Sequence, residues 1–342
     1  MKKIYYITAV FATLFLVGCG DGIDLPGVNV ETDLNKIPLP DNNVNLEQVE
    51  LKPSTEPMLH EGLHTEEDFQ RIRDKKAAGE EPWVSAYQLL VESQFSQKTA
   101  DTYPTEWIKR GVSGDENYMN AARGATIVYQ QALRWKIEQD DEYAAKAVEN
   151  LNKWVQTCVG VTGNTNLSLA AGLYGYEFAI AGELLRDYGG WDRTDFAAFQ
   201  NWLLKVFYPA NDDFLKRHHD TNALHYWANW CLCNIAAKMA IGIVTDRRDI
   251  YNEGIAHLQT GDTNGRLRRA IYHDYAPDYN FAQWQESGRD QGHTLMCVGL
   301  MGVICQLAWS QGDDFFAYDD NLFLRACEYA ACCNYTNETV PY

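Results

Sequence analysis

The stretch Asn117-Tyr-Met-Asn-Ala-Ala-Arg-Gly-Ala-Thr-Ile-Val-Tyr-Gln-Gln-Ala-Leu-Arg-Trp-Lys-Ile-Glu-Gln139 decides the fold that we expect for this chain. Its apolar residues recur every three or four positions and so share one side of an α-helix, namely Ala121, Ala125, Val128, Ala132 and Trp135. The stretch contains no proline, which would interrupt a helix. We therefore predict a long helix with one buried side.

Comparable helical patterns continue on both sides of this stretch. Thr65 followed by three acidic residues predicts a helix start, Gly79 predicts the end of that helix, and Pro82 predicts the next start. Further helices are predicted over residues 142–158, 167–187, 194–207, 221–244, 247–259, 291–311 and 316–333. Strand patterns are few, no fixed-period repeat is present, and the connections are short. These patterns favour an all-α fold, an (α/α) toroid built as an incomplete barrel of antiparallel helix pairs, with a cleft at one end.

The bulk composition limits the class of protein. The chain has 342 residues, 46% of them hydrophobic, which is enough for a sizeable core. Its formal net charge of −18 argues against nucleic acid as a partner, because phosphate binding needs extended positive patches. Ten Trp and twenty Tyr suit either core packing or stacking on sugars. For Trp107, Trp230 and Trp284 both alternatives stay open, with the core as the default.

The N-terminus has the pattern of a bacterial lipoprotein signal peptide. Met1-Lys-Lys supplies positive charge, residues 4–17 are apolar, and Leu16-Val-Gly-Cys19 has the form of a lipobox. We expect residues 1–18 to be removed and Cys19 to carry a lipid that anchors the protein to a membrane, in the periplasm or at the outer membrane. Ordinary signal-peptidase cleavage is the alternative. Residues 19–57 predict a flexible tether, and residues 58–342 the toroid domain.

The remaining cysteines are predicted to be buried free thiols. They lie mostly within apolar helical patterns at positions 158, 231, 233, 297, 305, 327, 332 and 333. None of their spacings is that of zinc ligands, so we expect no metal site.

A cationic cluster, Arg266-Leu-Arg-Arg-Ala-Ile-Tyr-His-Asp-Tyr275, stands out in this acidic chain. Arginine guanidinium groups suit the binding of carboxylates. Nearby positive charge also favours the ionised form of a tyrosine, which can then act as a base. From these residues alone, an exposed basic turn with a tyrosine packed into the core is an equal alternative.

A second polar stretch, Thr221-Asn-Ala-Leu-His-Tyr-Trp227, opens a predicted helix with Thr221 as its N-cap. Asn222 and His225 would then share a face near the helix N-terminus, where anions are favoured. They are candidates for holding a substrate carboxylate, or His225 for acting as a base, and an interior histidine beside a local cap is the alternative. His218 and His219 are expected in a surface loop before this helix.

Two more stretches offer hydrogen-bonding groups for a sugar. Glu286-Ser-Gly-Arg-Asp-Gln-Gly-His-Thr294 precedes an apolar helix and supplies Arg289, Gln291 and His293 as candidate ligands. Asn166 lies in Thr162-Gly-Asn-Thr-Asn-Leu-Ser168. Both stretches are also compatible with helix capping.

Together, the Thr221–Trp227 stretch, the arginine cluster and the Glu286–His293 stretch resemble the alginate lyase superfamily of polysaccharide lyases, as does His64-Thr-Glu-Glu-Asp-Phe-Gln-Arg-Ile-Arg73. The resemblance covers residues 63 onward. It implies an (α/α) toroid, an exported location, and β-elimination on a uronic-acid polymer such as alginate or glucuronan, with no metal or organic cofactor. Relatives usually continue with further helices beyond the point where this chain stops, so we expect a shortened member with an open toroid.

The family pattern also implies roles for individual residues. An arginine five or six residues before a tyrosine maps to Arg269 or Arg268 and to Tyr275, which would serve as base and then acid. The asparagine maps to Asn222. The family histidine two residues before Tyr-Trp falls on Leu224, while His225 abuts Tyr226. Expected substrate contacts come from the remaining polar side chains of these stretches: Arg268, Arg289, His293, Glu286, Gln291, Asn166, Tyr226 and Tyr272.

Two rival functions fit the same fold. One is a non-catalytic glycan-binding surface lipoprotein. The other is a glycoside hydrolase, which would need a pair of carboxylates facing the cleft, with Glu286, Asp290 and Asp220 as candidate members.

Overall fold

The computed structural model describes residues 55–335 and 340–341, and within these ranges α-helices dominate. They are α1 (Glu66–Ala77), α2 (Trp83–Glu92), α3 (Tyr118–Glu138), α4 (Asp141–Thr157), α5 (Leu167–Leu184), α6 (Arg193–Val206), α7 (Tyr208–Arg217), α8 (Ala228–Val244), α9 (Arg248–Thr260), α10 (Leu267–Ala270), α11 (Gln291–Ser310) and α12 (Tyr318–Tyr335). The short strands are β1 (Trp107–Arg110), β2 (Gly160–Gly163), β3 (Ile271–Asp274) and β4 (Ala282–Trp284). Strand β1 pairs in parallel with β2, and β3 pairs antiparallel with β4.

Helices α3, α5, α8 and α11 form an inner row in which each helix packs on the next. Outer helices cover this row: α4 packs on α3, α7 on α5 and α8, α9 on α8, and α12 on α11. This alternation of inner and outer helices confirms the predicted (α/α) toroid. The predicted signal peptide, Cys19 and most of the predicted tether lie outside the described residues.

The inner helices run in the same direction. At their N-terminal ends, Ser168 on α5 contacts His219 just before α8 (Oγ–Nε2 3.0 Å), and Gln285 just before α11 accepts the N–H of Ala228 (2.8 Å). At the opposite end, Arg186 just after α5 donates to the carbonyl of Val244, the last residue of α8 (2.9 Å). Glu116, just before α3, lines the same surface cavity as Asn164 and Asn166, just before α5. All four inner helices therefore start at one end of the molecule.

The core explains the helical patterns of the sequence. Ala121, Ala125, Val128 and Ala132 of α3 are all 0% exposed, as the periodicity predicts. Helices α5 and α8 are buried on nearly every side, because they are flanked by inner neighbours and covered by outer helices. Helix α11 is long and apolar enough to cross a membrane, yet more than half of that span is buried inside the fold, as in a core helix.

Aromatic residues fill the space between inner and outer helices. The Phe178 ring on α5 lies 5.3 Å from that of Trp154, 5.2 Å from that of Trp202 and 6.1 Å from that of Phe207, measured between centroids. Such pairs contribute about 0.5–1.5 kcal/mol each beyond their buried area. Most of the aromatic excess of the sequence therefore belongs to the core. The cysteines at 158, 231, 233, 297 and 305 are buried free thiols, as predicted, whereas Cys333 is exposed.

Two features differ from the sequence predictions. Helix α7 was not predicted, and it begins where Pro209 occupies the first turn. The helix predicted from Thr221 instead begins at Ala228. The reason is local, because the side chain of Asn222 accepts the backbone N–H of Leu224 (2.9 Å) and so stabilises a turn in place of a helical start.

Candidate active site

The end at which α3, α5, α8 and α11 begin is the candidate site. The first backbone N–H groups of a helix have no partner within the helix, and they carry partial positive charge that favours anions. The loops that precede the inner helices form the rim of this end, at residues 111–117, 164–166, 218–227 and 285–290. The predicted site residues of three sequence stretches lie in these loops.

Asn222, His225 and Tyr226 lie in the loop before α8 rather than on a helix. Asn222 and His225 are exposed, and the backbone N–H of His225 donates to the carbonyl of Asn222 (2.9 Å). The buried residue Asn264 stabilises the loop, because its side-chain amide donates to the carbonyls of Leu224 (3.1 Å) and Tyr226 (2.8 Å). Both polar side chains of the predicted pair therefore face solvent on a supported loop.

Tyr226 connects this loop to the start of helix α5. Its half-buried ring meets His219 edge-on at 5.7 Å and lies 4.7 Å from the ring of Trp230. Burial raises the pKa of Tyr226, and a hydrogen bond with Thr165 opposes that rise. Burial lowers the pKa of His219, so its imidazole is neutral near pH 7. Trp230 is thus a packing residue beneath the loop.

The two histidines before this loop lie in an unusual backbone turn. His218, His219 and Asp220 all have left-handed φ angles, of 48°, 52° and 60°. Side chains fix this turn, because Thr221 donates its hydroxyl to the carbonyl of His218 (2.5 Å). The expected surface location is wrong for His218, which is only 2% exposed and packs on Phe214.

Glu286 is buried beneath the rim, where its carboxylate caps the N-terminal end of helix α8. Its Oε1 accepts the N–H of Asn229 (2.9 Å), its Oε2 accepts from Arg289 (3.1 Å), and the residue is 0% exposed. The neighbouring Gln285 caps Ala228 in the same way. The predicted sugar contact of Glu286 is therefore corrected to a structural role. Arg289 itself is exposed, with its guanidinium 5.3 Å from the ring centroid of Trp227.

The start of α11 carries the other two residues predicted in that stretch. Asp290 is the N-cap and accepts both the backbone N–H (2.8 Å) and the Nδ1 (2.6 Å) of His293. Burial opposes ionisation of Asp290, but these bonds outweigh it and hold its pKa below the usual range. Gln291 is exposed beside it. His293 and Gln291 therefore remain accessible at the rim.

The arginine cluster folds as the short helix α10 followed by strand β3. Arg268 is ion-paired with Asp274 (Nη1–Oδ2 3.3 Å) and with Asp319 of α12. Arg269 is half-buried, and its guanidinium makes no hydrogen bond or ion pair with residues 55–335. The charge of Arg268 is therefore compensated within the fold, whereas Arg269 has no ion pair with a described residue.

Tyr275 follows β3 and is half-buried. Its hydroxyl donates to Oε1 of Gln283 on β4 (2.7 Å), and its ring stacks on Tyr329 of α12 (5.8 Å) and meets His273 edge-on (4.4 Å). Tyr272, half-buried, lies 6.1 Å from the ring of His273. Tyr275 is thus bonded to Gln283, which lies two residues before Gln285, the residue that holds the start of helix α8.

Asn166 lines an open cavity of about 620 Å³ next to the start of α5. The cavity walls come from two loops, at Gly111, Ser113, Gly114, Glu116, Asn164 and Asn166. The side chain of Asn166 makes no capping hydrogen bond to α5, and its backbone N–H donates to the side chain of Asn164 (2.9 Å).

The family comparison decides the class of the protein. Residues 72–338 match the family model described as alginate lyase, which is most of the chain. The chain belongs to the alginate lyase family. It is accordingly a polysaccharide lyase. A comparison with curated proteins gave no match.

Solved alginate lyases are similar to this one in fold. Alginate lyase A1-III with a histidine-to-alanine substitution, complexed with a tetrasaccharide, is 14% identical with a TM-score of 0.61, over 80% of this chain and 79% of that chain. Alginate lyase A1-III from Sphingomonas species A1 is 13% identical with a TM-score of 0.56, over 81% and 80%. An alginate lyase from Bacteroides ovatus is 14% identical with a TM-score of 0.54, over 78% and 81%. At these identities the likeness concerns the fold.

In this alginate lyase family member, the predicted site residues fall into two groups at the same end. The loop residues before α8 and α11 are joined through Arg289 and Trp227, while Tyr275 and Arg269 lie on the neighbouring hairpin unit. Among the described residues, the carboxylates named as hydrolase candidates do not form a free pair. Glu286 is buried, Asp290 binds His293, and Asp220 pairs with Arg217 (3.2 Å).

No pattern in the sequence marks Asn264 or Gln285 as part of the site. Each is a single amide that holds backbone groups of a segment far away in the chain. No local pattern marks such a residue, because its partners are assembled only when the inner helices pack.

Proposed function

We propose that this protein cleaves a uronic-acid polymer, alginate or glucuronan, by β-elimination that needs no metal ion. The observation that carries the proposal is the position of the unit that holds Arg269 and Tyr275. This unit packs on residues 285–288, and Gln285 holds the start of α8 next to the Asn222–Tyr226 loop. Membership of the alginate lyase family supports the same reaction type.

The chemistry assigns a task to each group. The C5 proton of a uronate is weakly acidic while its carboxylate is ionised, so hydrogen bonds and positive charge at that carboxylate lower the barrier. Asn222 and His225 are exposed donors for this purpose, and Arg269 adds a guanidinium. The positive N-terminal ends of the inner helices favour the same anion.

Tyr275 is the proton carrier of the proposed reaction. Tyr275 reacts as its phenolate, after its hydroxyl proton has passed to solvent. The phenolate oxygen takes the C5 proton, the electron pair of that C–H bond forms the C4–C5 double bond, and the C4–O bond to the leaving sugar breaks. The same tyrosine then gives the proton to the leaving glycosidic oxygen, so it ends as it began. Gln283 orients the tyrosine hydroxyl before substrate binds.

Incubation with alginate, glucuronan and a neutral glycan tests the proposal. A lyase creates unsaturated ends that absorb ultraviolet light, a hydrolase creates reducing ends without that absorbance, and a binding protein creates neither. We expect absorbance with a uronate polymer, unchanged by a chelator. Tyr275→Phe should lower the rate by at least about a hundredfold, because general acid–base catalysis contributes that much.

Tyr279→Phe is the matched control, since Tyr279 lies on the same hairpin, is 52% exposed and is bonded through its backbone. It should keep wild-type activity. Retained lyase activity in Tyr275→Phe would contradict the assignment of the base, and reducing ends without absorbance would contradict the reaction type.

We also propose that the protein is an exported lipoprotein, on the strength of the lipobox that ends at Cys19. Labelling with a radioactive fatty acid should mark the wild-type protein and not Cys19→Ala. Equal labelling of the two would disprove lipidation at this cysteine.

A further inference from the structure

Trp107, at the start of strand β1, is one of two exposed tryptophans among the described residues, the other being Trp309. Trp107 is 43% exposed, whereas Trp284 is 0% exposed. The alternation of burial along β1 turns Trp107 and Lys109 to the outer face and Ile108 and Arg110 to the interior. The outer face of this strand therefore presents an indole followed by an ammonium group.

The indole of Trp107 is fixed by its neighbour on strand β2. Trp107 pairs with Gly160, and a Cβ atom on that glycine would lie 2.5 Å from Cζ3 of the indole. The ring thus lies directly over the glycine backbone, which no larger residue would allow. The Trp107 carbonyl also accepts the side-chain amide of Asn117 (3.0 Å). One face of the indole is seated on the protein and the other is open to solvent.

Strands β1 and β2 lead from this indole straight to the candidate site. Their parallel register ends with Arg110 opposite Gly163, and the next residues, Gly111 and Asn164, line the open cavity at the rim. The distance from Trp107 to Arg110 along the strand is about 10 Å. A polymer that lies in the cleft and leaves it along β1 would pass over the indole.

We propose that Trp107 is a distal subsite for the polysaccharide, where a uronate ring outside the cleft stacks on the indole. Flat aromatic faces bind the C–H face of a sugar ring, and Lys109 on the same face of the strand meets the uronate carboxylate. The ion pair of Lys109 with Asp115 (Nζ–Oδ2 2.5 Å) joins a half-buried lysine to an exposed aspartate, so water screens it and its exchange for a substrate carboxylate costs little. The identity of the ligand as a uronate polymer rests on the proposed function.

Chain-length dependence of binding tests this subsite. We expect Trp107→Ala to bind alginate about tenfold more weakly, or about 1.4 kcal/mol, in native gels containing the polymer. Its affinity for a tetrasaccharide that fills only the cleft should match wild type. Trp107→Phe keeps a flat ring and should recover part of the loss. Trp309→Ala is the matched control, because Trp309 is 55% exposed at the opposite, C-terminal end of α11.

The outcomes separate this inference from the proposed reaction. Selective loss of polymer binding in Trp107→Ala, in a protein that produces no unsaturated ends, would support the subsite and reject the lyase mechanism. Two results with Trp107→Ala would overturn the subsite: an equal loss of affinity for polymer and tetrasaccharide, or unchanged polymer binding. A wild-type protein whose migration no uronate polymer retards would overturn it too. An equal loss in Trp309→Ala would overturn it as well.

Discussion

The carboxyl group of Glu177, in the middle of helix α5, makes the stability of this protein depend on pH. Its Oε2 atom is enclosed and has no hydrogen-bond partner among the described residues. Burial raises the pKa of Glu177 from 4.5 to about 8. The folded protein therefore keeps a proton on this group over a range in which the unfolded chain has released it.

The direction of the effect follows from this difference. Between pH 4.5 and about 8 the folded state binds one more proton than the unfolded state, so the free energy of unfolding falls as the pH rises. The contribution is fully present below pH 4.5 and lost above the folded pKa. The gap between the two pKa values corresponds to about 5 kcal/mol, and partial solvent access reduces this to roughly 2–4 kcal/mol. Glu177→Gln keeps the shape and cannot ionise, so it removes this term.

Urea unfolding followed by circular dichroism measures the effect at the two ends of this pH window. We expect similar stabilities for Glu177→Gln and wild type at the acidic end. At the alkaline end the variant should be more stable by roughly 2–4 kcal/mol. Glu67→Gln, at an exposed position in the first turn of α1, should follow the wild-type profile. Parallel pH profiles for wild type and Glu177→Gln would refute the reasoning, because they would mean that the buried carboxyl is ionised in the folded protein.

Three further substitutions test the contacts that build the site. Glu286→Gln weakens the buried cap of helix α8 and should lower the free energy of unfolding by about 1–3 kcal/mol in urea titrations. Gly163→Ala should cost at least about 2 kcal/mol, because φ is +146° and the new Cβ would lie 1.7 Å from the carbonyl oxygen of Arg110, whereas Gly189→Ala meets no atom and should be neutral. Asn264→Ala frees two carbonyls of the loop before α8. We expect a several-fold higher KM for alginate in initial-rate measurements, and an unchanged KM would contradict a role in shaping the loop.

The order of helices was predictable from local patterns. Helices are marked by apolar spacing, by caps such as Thr65 and by breakers such as Gly79. These signals act within one or two turns, so one sequence is enough to recognise them. The residues that carry the family resemblance also lie in short runs, so they are visible in the sequence alone. The predicted start of α8, Thr221, is seven residues too early. Asn222 stabilises a turn locally, and the actual start at Ala228 and Asn229 is capped by Gln285 and Glu286 from a distant part of the chain.

By itself, the sequence determined an all-helical toroid, the alginate lyase family and the segments that hold the candidate site. Only the tertiary structure decided which members of those segments are free to act. It buried Glu286 under helix α8, paired Arg268 with carboxylates from two other elements, and left Arg269 and the outer face of Trp107 accessible. The physical reason is that desolvation and ion pairing depend on which groups meet across the packed helices, and partners more than fifty residues apart leave no mark on local spacing.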